Sequence, residues 1–204
     1  MLTSLRTDKP VAPGFEHVHR YWDKKTGQYG AKIKPGEYFV SEEGEPITTV
    51  LGSCVSVCAR DTVFRIGGMN HFLLPEGSNH SSWSDASRYG AFAIEALLNE
   101  VYKRGGRKKA MEIKVFGGSN ILGSNDVGQS NVDFVIDYMR TEGFLIASKD
   151  LGGNQPRKII YYPDTGKVML KKVAAIEITE VAAIEKRHLK KIGSQPVTGE
   201  VDLF

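Results

Sequence analysis

Short segments with the two-residue alternation of a β-strand recur along this chain from about residue 36 onward. In CVSVCAR (residues 54–60), Val55, Val57 and Ala59 fall on one face, which predicts a half-buried strand. A second strand-like run, VFRIGGMNHFLL, contains the pair Gly67-Gly68, which indicates a bulge or a close approach of backbones. Further strands are predicted in MEIKVFGG, FLIASKDL and RKIIYYPDTGKVMLKK, and the last of these contains a hairpin turn at residues 164–166.

Two longer segments have the apolar spacing of helices. RYGAFAIEALLNEVYKRGG ends at Gly105-Gly106 and VDFVIDYMRTEG ends at Gly143, and glycine is a frequent residue at helix C-termini. A shorter amphipathic helix, capped by Thr179, is predicted near the C-terminus. Because strands outnumber helices and hairpins are frequent, we expect a single-domain α/β sandwich with a mixed, mostly antiparallel sheet and two main helices.

The 204 residues divide into three parts by composition. Residues 1–35 lack periodicity and predict an irregular N-terminal arm, residues 36–173 form the main domain, and residues 174–204 comprise the C-terminal helix and a loose tail. No apolar run approaches the roughly 20 residues that cross a bilayer, and the start of the chain lacks the apolar core of a secretory signal. We therefore expect no membrane insertion and a cytoplasmic location. The net charge of +3 is too small to indicate nucleic-acid binding.

The two cysteines and one histidine form the spacing Cys54-x3-Cys58-x12-His71, which resembles the start of a zinc finger. On a strand, however, two residues four positions apart are separated by about 13 Å. That distance excludes a shared tetrahedral ion and also a disulfide. The next histidine, His80, lies beyond the usual ligand spacing. The sequence therefore predicts no metal site here and two free thiols.

The alternative is that Cys54 is a nucleophile and His71 is its base. If the two strands form a hairpin that turns at residues 61–64, these two side chains stand opposite each other, with Cβ atoms about 4.5–5.5 Å apart. Gly52 and Ser53 precede the sulfur, and backbone N–H groups in this turn, including that of Cys54, could stabilise an oxyanion. From these residues alone, a buried thiol beside a core histidine remains an alternative.

Several motifs, in the same order, resemble those of the CheD family, the chemoreceptor glutamine deamidases of bacterial and archaeal chemotaxis. They are TVLGSCVSVCARD, GGMNHFLLP, RYG before a helix, KVFGGSNIL, and DLGG followed by RKIIYYPDTGKV. The resemblance covers about residues 36–173 and implies an α/β sandwich that hydrolyses glutamine side chains on chemoreceptors to glutamate, with release of ammonia. No cofactor and no metal are expected.

Carried over residue by residue, the resemblance places the family's nucleophilic cysteine at Cys54, its histidine at His71 and its active-site threonine at Thr48. The neighbouring Thr49 matches less well, and Cys58 lies outside the catalytic set. Thr48 is expected to orient the histidine or the incoming amide through its hydroxyl. Gly52 and Ser53 are expected to support the oxyanion.

The same resemblance implies chemoreceptors, the methyl-accepting chemotaxis proteins, as partners, with a CheC-type phosphatase as a possible second partner. Two other functions remain open at this point: a regulatory module that binds receptors without turnover, and a thiol protease or transglutaminase that uses the same pair. Gly117-Gly118 and Gly152-Gly153 lack the context of phosphate-binding loops and are interpreted as turn glycines. The basic segment EKRHLKK is interpreted as a solvated helix face, and His80 as a solvated loop residue.

Overall fold

The computed structural model describes residues 13–24, 26–75, 85–122 and 127–193. The strands, in chain order, are β1 (His19–Asp23), β2 (Gln28–Lys32), β3 (Tyr38–Ser41), β4 (Ile47–Leu51), β5 (Val55–Asp61), β6 (Gly67–Asn70), β7 (Met111–Gly117), β8 (Ile146–Leu151), β9 (Arg157–Tyr162) and β10 (Lys167–Lys172). The helices are α1 (Asp85–Lys103), α2 (Val127–Thr141) and α3 (Ala175–Gly193).

The strands divide into two five-stranded sheets, ordered β1-β2-β4-β9-β10 and β3-β6-β5-β7-β8. Each sheet is mixed, because β2 pairs with β4 and β7 pairs with β8 in parallel, whereas the other neighbours are antiparallel. The predicted α/β class is confirmed. The structure differs from the expectation in having two sheets rather than one, and a third helix, α3, that is as long as α1.

Strand β5 lies in the middle of the second sheet, and its two faces are both covered. Helices α1 and α2 contact it on one side. On the other side, Cys58 lies near Tyr161 of β9 in the first sheet. Within its own sheet, Cys58 pairs with Lys114 of β7. Six of the seven residues of β5 are buried, so the prediction of a half-buried strand is wrong. Alternation identified the strand correctly, but it did not show that the first sheet covers the face of β5 that bears the sulfur atom of Cys58.

The hairpin between β5 and β6 is present, with a register that differs from the predicted one. Cys58 pairs with Met69, and an isolated bridge joins Val55 to Phe72. The predicted direct opposition of Cys54 and His71 is therefore wrong by two residues. The turn has the expected length of four residues but is shifted by one, to residues 62–65, since the N–H of Asp61 bonds the carbonyl of Ile66. A shift of two residues keeps side chains on the same face, and for this reason both residues still reach one site.

The predicted glycine pair in β6 serves close packing rather than a bulge. The register through Gly67 and Gly68 is regular. A Cβ atom at Gly68 would lie 2.4 Å from the carbonyl oxygen of Phe39, and one at Gly67 would lie 2.6 Å from Cβ of Arg60. Only glycine permits the backbones to approach so closely here.

The two ends of the chain are more ordered than the composition indicated. Residues 19–23 and 28–32, predicted as part of an irregular arm, form β1 and β2 of the first sheet, so that prediction of their secondary structure is wrong. Helix α3 begins at Ala175, four residues before the predicted cap at Thr179, and α2 begins five residues before the predicted start at residue 132. The predicted tail from residue 194 lies outside the described residues. The domain boundaries at residues 36 and 173 stay predictions.

A single hydrophobic core joins both sheets with parts of all three helices, from Phe15 near the N-terminal end to Leu189 on α3. Helix α1 contacts β3, β5 and β6, and it also contacts α2. Of the helices in the described ranges, none has the length and apolar character that a membrane span requires. The connection between β4 and β5, residues 52–54, links the two sheets and carries Cys54.

Candidate active site

Cys54 lies in the connection from β4 to β5, and it is completely buried. Its Sγ atom, a ring nitrogen of His71 and a carboxylate oxygen of Glu185 lie within 4.8 Å of one another. His71 follows β6, whereas Glu185 projects from α3. The predicted pair of Cys54 and His71 is thus brought together, together with an acidic side chain 131 residues further along the chain.

A directed chain of hydrogen bonds fixes the ring of His71. The hydroxyl of Thr49 donates to the carbonyl of Ile33 at 2.8 Å, and Nδ1 of His71 lies 2.8 Å from the same hydroxyl oxygen. Because the hydroxyl proton is already engaged, Nδ1 must carry the proton and donate. Nε2 is then the basic nitrogen, and it has no hydrogen-bond partner within the described part of the chain. A neutral imidazole with a free Nε2 beside a thiol is ready to accept the thiol proton.

Thr48, the threonine that the resemblance assigns to the active site, has a different partner. Its hydroxyl donates to the carbonyl of Ile159 on the neighbouring strand β9 at 3.0 Å. Adjacent residues of β4 point to opposite faces of the sheet, and Thr49 is the one whose hydroxyl reaches His71. In this structure the contact that orients the histidine is therefore made by Thr49.

Three consecutive backbone N–H groups converge on the carboxylate of Glu185. Oε1 accepts hydrogen bonds from the N–H of Gly52 at 2.9 Å and of Cys54 at 3.2 Å. Oε2 accepts from the N–H of Ser53 at 2.9 Å and from its hydroxyl at 2.6 Å. This N–H cradle, residues 52–54, is an arrangement that stabilises negative charge on oxygen, and the oxyanion role of Gly52 and Ser53 stays a prediction.

Two carbonyl groups of the cradle accept hydrogen bonds from residues outside it. The N–H of Ser119 bonds the carbonyl of Gly52 at 2.7 Å, and the side-chain amide of Asn131 on α2 donates to the carbonyl of Ser53 at 3.2 Å. A peptide unit is planar, so fixing each carbonyl also fixes the N–H of the next residue. The donors of Ser53 and Cys54 are therefore oriented by groups outside the cradle.

Gly117 and Gly118, at the end of β7, form part of this support. The N–H of Gly118 bonds the carbonyl of Cys54 at 2.7 Å. Both glycines have positive φ, and a Cβ atom at Gly117 would lie 2.1 Å from the carbonyl oxygen of Cys54. The turn interpretation of this glycine pair is confirmed, and the turn places two backbone donors against the nucleophile loop. The buried guanidinium of Arg157 bonds the carbonyls of Gly117, Asp150 and Gly152 and so ties this turn to β8.

Both reacting groups are electrically neutral in this arrangement. Burial raises the pKa of the Cys54 thiol well above its usual value, and the nearby charge of Glu185 raises it further. Burial, followed by the charge of His188, lowers the pKa of His71 to about 3. A thiol and a neutral imidazole therefore face each other here, rather than a thiolate and an imidazolium.

The donor set of Cys54, His71 and Glu185 has the size of a metal site. The carboxylate does not suit that use, because its four lone-pair positions are all engaged by the three N–H groups and the hydroxyl of the cradle. Cys58 belongs to no such set within the described residues, and both cysteines are free thiols. The predicted separation of the two sulfurs into different environments agrees with this geometry.

A groove of about 640 Å³ lies beside the site. One wall is made by the end of β2 and the residues that follow it, residues 32–35, with Thr49 and Val50 of β4. The other wall is α3, and His71 and Glu185 also line the groove. The groove therefore lies beside the buried imidazole and is bordered along one side by a helix.

Sequence reasoning missed three residues of this site. Glu185 lies in the basic segment that was interpreted as a solvated helix face, although its side chain is 1 % exposed. Thr49 was judged the weaker match, and Asn131, buried on α2, was not singled out. A local signal for Glu185 existed in the spacing of Val181, Glu185 and Leu189, which places the carboxylate on the apolar face of α3. His80 lies outside the described residues.

Comparison with known proteins gives concordant results. The family model described as CheD chemotactic sensory transduction matches residues 73–172. A protein of Hahella chejuensis named "Probable chemoreceptor glutamine deamidase CheD" is 45% identical over 196 residues, which cover 94% of this chain and 93% of that protein. A protein of Stenotrophomonas maltophilia (strain K279a) with the same name is 44% identical over 207 residues, which cover 100% of both chains.

Proposed function

This chain belongs to the CheD family, and on that premise we propose that it hydrolyses glutamine side chains of chemoreceptors to glutamate, with Cys54 as the nucleophile. The observation that supports this most directly is that three kinds of catalytic group lie close together. The thiol of Cys54, the imidazole of His71 and the N–H cradle of residues 52–54 lie around the same small volume. These are the nucleophile, the base and the oxyanion donors that acyl transfer requires.

In the first half of the reaction, His71 takes the proton of the Cys54 thiol and the sulfur attacks the carboxamide carbon of the glutamine. The carboxamide oxygen becomes an oxyanion that accepts hydrogen bonds from the cradle once the Glu185 carboxylate has left it, and the cradle N–H groups are already oriented by their neighbours. The C–N bond then breaks, and the imidazolium gives its proton to the leaving nitrogen, which departs as ammonia. A thioester between Cys54 and the former glutamine remains.

In the second half, His71 takes a proton from water, and the hydroxide attacks the thioester carbon. The C–S bond breaks, the proton returns to sulfur, and glutamate is released. The net change is the addition of one water and the loss of one ammonia. Throughout both halves, Nδ1 of His71 keeps its proton and its bond to Thr49, so one nitrogen alone exchanges protons.

We propose Thr49 as the positioning residue for His71, in place of the predicted Thr48. The support is the 2.8 Å contact between the hydroxyl of Thr49 and Nδ1, whereas the hydroxyl of Thr48 is engaged with Ile159. A role for Thr48 in the site remains a prediction from the resemblance.

The experiment that tests the function is mass spectrometry of purified chemoreceptor cytoplasmic fragments incubated with the protein. We expect a gain of about one dalton per modified glutamine, with release of ammonia, and no gain with Cys54→Ala. Cys58→Ala is the matched control, since it removes a buried thiol from the same strand region without touching the site. Equal loss of deamidation in both variants would contradict the assignment of Cys54 as the nucleophile.

The partners follow from the same proposal. The receptors are the substrates, and a thiol nucleophile that must stay reduced favours a cytoplasmic location. A CheC-type phosphatase as a second partner stays a prediction from the resemblance, and co-purification of the two proteins would test it. Binding of receptor without ammonia release would favour the regulatory module instead of the enzyme.

A further inference from the structure

The carboxylate of Glu185 is held in the active site as a ligand would be held. Its two oxygens accept four hydrogen bonds, all from residues 52–54, and the side chain is 1 % exposed. A Cβ atom at Gly52 would lie 2.9 Å from this carboxylate, so the contact depends on a glycine at that position. A buried carboxylate is stable only where it is fully hydrogen-bonded, and here the catalytic donors supply every bond.

The Glu185 side chain has the same chemical structure as the product of the proposed reaction. Deamidation converts a glutamine side chain into a glutamate side chain, and the group in the cradle is a glutamate side chain within 4.8 Å of the Cys54 sulfur. Donors arranged for an oxyanion also bind the two oxygens of a carboxylate. Glu185 is therefore bound in the way that the reaction product, released from Cys54 but not yet departed, would be bound.

Helix α3 presents this side chain from one face. The buried and half-buried positions Val181, Ala182, Glu185, His188 and Leu189 recur at helical spacing, and the opposite face is exposed. Helices α1 and α2 approach the strands of the second sheet closely, whereas α3 has no comparably close backbone contact with another described element. The helix is therefore attached mainly through this one face, with Glu185 at its centre.

The contact of Glu185 with residues 52–54 also opposes the proposed deamidation. The negative charge of Glu185 lies beside the sulfur, where it disfavours the thiolate, and together with burial it raises the pKa of the Cys54 thiol. The same carboxylate fills the donors that an incoming carboxamide needs. With α3 in place, the site lacks both a free cradle and a reactive sulfur.

We infer that α3 occupies the substrate site as an internal competitor, with Glu185 in the position of the product side chain, and that a glutamine presented on a helical segment of the substrate displaces it. The inference rests on the proposed deamidation, and it adds the form of the substrate and the control of the site. A site that is covered by α3 with the Glu185 side chain in the cradle favours a partner helix that presents glutamine in the same way.

The substitution Glu185→Gln converts the competitor into a substrate. The full-length variant carries a glutamine where the product glutamate lies, so we expect residue 185 to be deamidated by the protein itself and to become the wild-type glutamate. Intact mass and peptide mapping of α3 would show a gain of about one dalton at position 185, in proportion to time and independent of protein concentration. The gain should be absent in the double variant with Cys54→Ala.

Lys186→Gln is the matched control, because it places a glutamine on the same helix at the adjacent, exposed position. We expect no conversion there. A second variant, Glu185→Ala, removes the competing carboxylate, and we expect its kcat/KM for receptor fragments to rise by about tenfold or more, as the fraction of molecules with an open site increases.

The two readouts separate the inference from the function on which it rests. Conversion at position 185 that depends on Cys54, or a gain in receptor deamidation with Glu185→Ala, supports the inference. If neither occurs while the wild type deamidates receptor, the inference is overturned and the proposed function stands. If the wild type and Glu185→Ala are both inactive on receptor and position 185 is unchanged, the proposed function fails as well.

Discussion

The hydroxyl oxygen of Thr49 lies 2.8 Å from Nδ1 of His71, and this contact decides which ring nitrogen is free to act as the base. Since the Thr49 hydroxyl donates to the carbonyl of Ile33, it accepts from Nδ1 and leaves Nε2 for the thiol. The wrong tautomer would present an N–H to Cys54, and an N–H cannot take a proton. The contact is thus a structural requirement of the proposed mechanism.

Removing that hydroxyl should slow the reaction. Thr49→Val preserves shape and loses the hydrogen bond, so we expect kcat for receptor deamidation to fall by about ten- to a hundredfold, part of the ~10²–10⁴ that a well-placed base contributes. KM should change little, and Thr49→Ser should restore most of the rate. Thr48→Val, which removes a bond to Ile159 instead, should cost much less; a larger loss there would return the positioning role to Thr48.

Asn131 should act on the cradle from a distance. In Asn131→Ala the carbonyl of Ser53 and the N–H of Leu74 lose their buried partners, and we expect about 1–3 kcal/mol of lost stability in urea unfolding. The N–H of Cys54 also loses its fixed orientation, so kcat should fall under conditions where the variant remains folded. Gln129→Ala, on the exposed side of the same helix, is the control. Lower stability with unchanged kcat would limit Asn131 to a structural role.

The two thiols should differ in their response to Glu185. Burial raises the pKa of both thiols, and only Cys54 also has the carboxylate beside it. Alkylation requires the thiolate, so iodoacetamide should label both residues slowly in the wild type. In Glu185→Ala, we expect labelling of Cys54 to accelerate by about tenfold or more and that of Cys58 to stay the same, as measured by peptide mass spectrometry. Equal rates in both proteins would contradict a role of Glu185 in suppressing the sulfur.

Stability should fall in mild acid because of His71. Burial lowers its folded-state pKa from 6.5 to about 3, so between these values the unfolded chain binds a proton that the folded chain does not. Stability is therefore unaffected by this group above pH 6.5 and decreases as the pH falls toward about 3, by up to ~1.4 kcal/mol per pH unit. Urea unfolding at about pH 5 and about pH 7 should show a smaller decrease for His71→Asn, since that variant lacks the titrating group. His188, whose pKa is also lowered, is present in both proteins. An identical decrease in both would contradict the lowered pKa of His71.

The local patterns in the sequence predicted most elements and part of the site. Alternation identified β5, glycines marked the ends of α1 and α2, and residues 164–166 formed the expected hairpin turn. The pairing of Cys54 with His71 followed from spacing even though the register was wrong by two residues. The two residues still lie close together because a register shift of two residues preserves the face on which a strand's side chains lie.

Other features depend on contacts between distant segments. The period of two shows that Thr48 and Thr49 face opposite ways, but only the tertiary position of His71, which follows a strand of the other sheet, determines which of them meets the histidine. The first sheet and the helices α1 and α2, which together bury β5, have no local signature in that strand. Glu185 lies in a basic amphipathic segment, and its four bonds to residues 52–54 exist only because α3 crosses the site.

By itself, then, the sequence determined most of the strands and helices after residue 36 and the family, and it predicted Cys54 and His71 as nucleophile and base, because these depend on short-range periodicity and on motifs. The tertiary structure alone decided which threonine orients His71, which groups hold the cradle, and that a carboxylate from the C-terminal helix fills it. The physical reason is that hydrogen bonds act over about 3 Å, and residues 131 positions apart reach that distance only in the folded chain.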